Sequence, residues 1–141
     1  MFRTLASEQG LDVRAFSAVA EANPDIDIEL DARLAAIARA GDVVLESRLA
    51  AWIARNEDLD ATTVWIDGDE AVRAERVAQR EHIDPVRARE ANRTREASEH
   101  LRYEALYGID LEDRSVYRLV IDASDRAPEA VAESIVDAAT K

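Results

Sequence analysis

Arg95, Glu99 and Arg102 stand four and three residues apart in REASEHLRYEALYGID, the stretch from 95 to 110. At 3.6 residues per turn this spacing puts all three on one face of a helix. Two chemistries suit such a row. One is a solvated ladder of intrahelical ion pairs, which contributes little to stability. The other is a clamp for a phosphate, because a guanidinium offers a planar fork to an oxyanion. Spacing alone favours the ladder, with Thr94, Ala97, Leu101 and Ala105 on nearly the opposite face. Arg76 and Arg80 repeat the four-residue spacing, and the same weighing applies to them. Arg48 differs. It directly follows the run VVLES, at what would be the carboxyl end of a parallel strand. Open α/β sheets bind their ligands at that edge.

The surroundings sharpen the question. The 141 residues carry a formal net charge of -12, with Lys141 as the only lysine. Residues 73–102 nevertheless hold eight arginines against six acids, a basic island inside an acidic chain. Such an island suits a local anionic ligand, whereas the overall charge repels nucleic acid. The acidity also suits solubility in high salt, where self-repulsion is screened. With no cysteine there is no disulfide and no thiolate metal site, so the predicted metal ligands are none. The longest apolar run, Leu49 to Ala54, is too short to span a membrane. His82 and His100 have no companion at ligand spacing and receive no role.

The elements that must position these side chains alternate. Three β-branched runs, 43–45, 62–66 and 117–121, read as buried strands. Helical patterns cover 12–22, 24–40, 48–55, 70–80 and 85 to about 106, and a last one follows Pro128. Ile26, Leu30, Leu34 and Ile37 form the stripe of the second. Asp84-Pro85 is a helix start and Gly108 a stop. Strands alternating with helices imply an α/β fold with parallel pairing. Three strands make a thin sheet, and 141 residues suit one domain. The four glycines, at 10, 41, 68 and 108, are too dispersed for a G-x-x-x-x-G-K-[S/T] phosphate loop.

Taken in order, FRTLASEQG, NPDIDIELDARL, VVLESRLAAW, VWIDGDEAVRAERVAQRE and REASEHLRYEALYGID resemble the archaeal-type cytidylate kinases, which are nucleoside monophosphate kinases. The resemblance implies an incomplete P-loop, NMP-kinase-like parallel sheet flanked by helices. Its parts would be a helical NMP-binding region (1–41), core segments (42–80 and 107–141) and an arginine-rich lid (81–106). It implies phosphorylation of CMP and dCMP by ATP with Mg²⁺, in a cytoplasmic monomer. Arg3 and Arg48 would hold the CMP phosphate, with Arg95 and Glu99 near the acceptor nucleotide. Arg76 and Arg80 would meet the ATP phosphates, and Arg102, with Arg95 and Arg80, would face the phosphoryl group in transfer. On this view the opening stretch is a clamp. Phosphoryl transfer asks mainly for alignment and positive charge, which such arginines supply.

Two departures stand beside the resemblance. Leu49 follows Arg48 where bacterial relatives have Asp, so the base must be read differently. Asp27 and Asp31 are the candidates, although a solvated helix face is the plainer expectation for both. Family members also begin with a strand, a Walker A loop, a helix and a second strand, which the sequence before Phe2 does not contain. The expectation is that Met1 is an internal methionine of a longer kinase, that the 141-residue chain is poorly stable, and that it is inactive without the loop. Arg102→Ala is expected to abolish transfer while leaving folding intact, as an exposed lid residue would. The alternatives are a nucleotide-binding pseudo-kinase and a plain acidic α/β domain.

Overall fold

The computed structural model describes residues 2–141, so the expectation about Met1 lies outside the described residues. Seven helices and two strands follow in the order α1 (Phe2–Glu8), α2 (Val13–Ala22), α3 (Asp25–Ala40), α4 (Ala50–Asn56), β1 (Val64–Asp67), α5 (Glu70–Glu81), α6 (Pro85–Tyr107), β2 (Leu119–Asp122) and α7 (Pro128–Ala139). The architecture is a mostly helical α/β one. β1 and β2 pair in parallel, Val64 opposite Leu119 and Asp67 opposite Asp122, as the alternation implied.

Capping explains the sharpest boundaries. Asp84 accepts from the amides of Val86 and Arg87 at the head of α6, with Pro85 in its first turn. Gly108 ends the helix at φ 65°, a left-handed conformation that glycine adopts without steric cost. Asp12 caps α2 by accepting from Ala15 at 2.7 Å. The helix α1 was not foreseen from periodicity. Its Phe2 meets Phe16 edge-on with ring centres 4.7 Å apart, and Phe16 is fully buried. Burying such a ring contributes about 2–3 kcal/mol.

Three apolar clusters hold the fold. Ala35, Leu49, Trp52, Ile53, Tyr103 and Ile109 join α3, α4 and α6. Ile121, Ala123 and Val131 seat the sheet on α7. Only Ala74, Ala78 and Ala88, with Val77 beside them, lie between α5 and α6. Alanines let two helices approach closely but bury little surface, so that pair depends on what flanks it. Glu70 receives Arg89 at 2.6 Å and also Arg93, and Arg73 reaches Glu96.

Two strand expectations are corrected. Val43-Val44-Leu45 forms no strand, and Val44 is 98% exposed. A strand needs a neighbour for its backbone hydrogen bonds, and among the described residues this run has none. Nor are the two real strands fully buried: Ile66 and Val120 are each about half exposed, while Ile121 is buried. Both strands, moreover, are displaced, each starting two residues later than its apolar run suggested, which makes a third correction.

Candidate functional site

The stretch from 95 to 110 runs along the last turns of α6 and just past its end, and the helix turns its polar face inward. Ser98, Glu99 and Arg102 are buried, while Leu101 on the other side is 62% exposed. That inverts the expected wheel and corrects the picture of a wet ladder. Glu99 is the hub. Its Oε1 accepts from Arg95 Nε at 2.8 Å, and its Oε2 lies 2.9 Å from Arg48 Nε. The second contact is a charge contact, off the line of a hydrogen bond, which leaves Oε2 without a donor aimed at it. Arg48 comes from the turn just before α4, not from the helix itself. No bond joins Glu99 to Arg102, as the ladder would have had it.

Arg102 instead reaches across to α3. Its Nε donates to Asp27 Oδ2 at 2.6 Å, and its Nη1 donates to Ser98 Oγ. Its guanidinium also lies 5.4 Å from the centre of the Phe2 ring and 5.7 Å from that of Tyr103. Asp27 is 1% exposed, so the solvated-face expectation is corrected for this residue. The signal was present in the sequence. Asp27, Leu30 and Leu34 fall at i, i+3 and i+7, which puts an acid on the apolar stripe. Ser98, a short hydroxyl one turn before Arg102, gave no comparable signal.

The three arginines share a design. Arg95 and Arg102 donate through Nε to a buried carboxylate and Arg48 rests its Nε against one, and among the described residues no protein group takes the terminal nitrogens of Arg48 or Arg95, or Nη2 of Arg102. Arg48 and Arg95 share the single carboxylate of Glu99, which leaves one positive charge unmatched at that end of the cluster, an arrangement that suits an anion. Asp31 borders the cluster and accepts from the Tyr107 hydroxyl at 2.8 Å. Burial, helped by the charge of Asp27, pushes its carboxyl up to about 6, against the pull of Tyr107 and Arg102. Burial likewise holds the Tyr103 and Tyr107 hydroxyls well above their ordinary range, so both stay neutral donors.

The other candidates stand apart from this cluster. Arg3 on α1 meets Glu81 at 2.7 Å, and Arg80 meets the same carboxylate at 3.0 Å. Arg3 lowers the Glu81 carboxyl most, with Arg80 adding to the effect. Arg76 donates through Nη2 to the carbonyls of Ala123, at 2.8 Å, and Ser124, at 3.3 Å, just after β2. The structure therefore gathers Arg48 and Arg95 at Glu99, pairs Arg102 with Asp27, joins Arg3 with Arg80 at a second acid, and docks Arg76 on a loop.

The sequence profile of the cytidylate kinase-like family matches residues 3–125. The chain belongs to that family. The cytidylate kinase of Methanopyrus kandleri is 48% identical over 131 residues, covering 88% of this chain and 68% of that one. The cytidylate kinase of Methanocaldococcus jannaschii is 46% identical over 132 residues, covering 93% and 74%. That of Pyrococcus horikoshii is 44% identical over 131 residues, covering 93% and 67%. The chain thus spans about two thirds to three quarters of the length of these cytidylate kinases. No solved structure matches it. Among the described residues no helix is long and apolar enough to cross a membrane.

Proposed function

We propose that this member of the cytidylate kinase-like family binds CMP, and dCMP, for phosphorylation by ATP. The observation that carries the reading is the pair Arg48 and Arg95, gathered by one buried carboxylate with their outer nitrogens unspent. Arg95, held through Nε, and Arg48, drawn to the same carboxylate by charge, form a preorganised fork, so little side-chain entropy is lost when a phosphate arrives. Glu99 orients the fork, and Arg3 adds to it when it leaves Glu81. Arg102 lies beside the fork and faces the phosphoryl group in transfer. Arg80 and Arg76, on successive turns of α5, serve the ATP phosphates. Mg²⁺ comes with ATP as part of the substrate and neutralises its phosphates. The chain's own residues supply alignment and the remaining positive charge, which this chemistry chiefly needs.

The test is a pair of assays on the full chain. Isothermal titration should show binding of CMP in preference to AMP, and incubation of CMP with ATP and Mg²⁺ should yield CDP. A chain that binds CMP but forms no CDP would support a second reading, nucleotide binding without transfer. The 141 residues contain no G-x-x-x-x-G-K-[S/T] loop, which is the observation behind that reading. A chain that binds neither nucleotide would defeat both.

A further inference from the structure

Asp27 is the least exposed charged side chain among the described residues, at 1%. A carboxylate that deep costs stability unless paired, and a well-packed apolar residue would serve the fold at least as well. Its place on the apolar stripe of α3 therefore calls for another reason. The partner supplies one. Asp27 does for Arg102 what Glu99 does for Arg95: it takes Nε and leaves the outer edge of the guanidinium to other uses. Ser98 takes Nη1, and the Phe2 and Tyr103 rings lie alongside. With Nε and Nη1 both engaged, the plane of the guanidinium is fixed, and among the described residues Nη2 is the nitrogen without a protein acceptor.

We propose that Asp27 is a positioning residue which, together with Ser98, aims Nη2 of Arg102 at the nucleotide phosphate held by Arg48 and Arg95. The proposal rests on the CMP-binding reading above and extends it. Asp27 itself touches no ligand; it acts through Arg102. Because Asp27 belongs to α3 and Arg102 to α6, phosphate affinity also becomes dependent on how these two helices are joined.

Titration of CMP into the wild-type chain, Asp27→Asn, Arg102→Met and the double variant tests it, each first shown to be folded by circular dichroism. Asp27→Asn should weaken CMP binding roughly tenfold, in keeping with the cost of a misplaced binding group. Arg102→Met should weaken it at least as much, and the double variant should be no weaker than Arg102→Met alone. A merely structural residue would not show this dependence on Arg102. An Asp27→Asn effect that persists in full in the Arg102→Met background overturns the proposal, and so does unchanged CMP affinity in a folded Asp27→Asn. Should Asp27→Asn or Arg102→Met not fold, Ser98→Ala measured alone takes its place, with a loss of about threefold in CMP affinity expected. No loss in Ser98→Ala overturns the proposal. A wild-type chain that binds no CMP defeats the parent reading before any variant is compared, and this proposal falls with it.

Discussion

Replacing Arg102 by alanine would strand Asp27 as an unpaired charge in the interior, since both side chains of that pair are almost wholly buried. Removing one partner of such a pair costs about 3–5 kcal/mol. Arg102→Ala should accordingly lower the midpoint of urea unfolding strongly, which corrects the expectation that it leaves folding intact. An unchanged midpoint would mean that the pair is not buried in solution. Asp31 gives a second test at this scale. Its carboxyl is harder to ionise in the fold, at about 6, than at its ordinary value of 3.8. Ionisation therefore costs stability: the cost is absent below about pH 4, grows as the pH rises and is complete above about pH 6. Asp31→Asn should raise the melting temperature at pH 7.5, and the gain should close by pH 4. A gain that does not vary between these pH values would contradict the assignment. Wheel geometry found the shared face of Arg95, Glu99 and Arg102, but not whether it looked inward. The deciding contact, Asp27 to Arg102, spans 75 residues, beyond the reach of any local pattern.

The α5–α6 pair shows what carries an element when apolar contact is thin. Three alanines and a partly buried valine separate the helices, and Glu70 collects Arg89 and Arg93 along the seam. Arg89 first, then Arg93, hold the Glu70 carboxyl down to about 2. This contribution is present above the carboxyl's ordinary value of 4.5 and is lost as the pH falls toward 2. The pairs are exposed, so salt should screen them. Glu70→Gln should lower the melting temperature at low salt and neutral pH, with the gap narrowing near 1 M salt, where screening acts over about 3 Å. A gap independent of salt would place the effect in packing instead. At this scale much was legible. Asp84-Pro85 and Gly108 bounded α6 because caps are local chemistry. The run at 43–45 misled because strand propensity describes a side chain on a sheet, while a strand exists only where a second backbone pairs with it.

For the molecule as a whole, charge and topology converge on the same region. A chain of net charge -12 concentrates arginine in residues 73–102, and from that island Arg95 shares Glu99 with Arg48 at the head of α4 while Arg102 pairs with Asp27 of α3. The small parallel sheet was legible from alternating segments, because parallel strands need crossover helices. The composition of the cluster was legible only in part, since Asp27 stands on the apolar stripe of α3 but nothing local names its partner 75 residues away. The central claim is that a fork built on Glu99 receives the phosphate of CMP. The most direct measurement is isothermal titration of CMP into the wild-type chain and into Arg95→Ala and Arg48→Ala. The wild type should bind, and each variant should lose affinity by tenfold or more, on the order of 1.4 kcal/mol. Equal affinity in all three proteins would contradict it and leave the arginines as ion pairs of the fold alone.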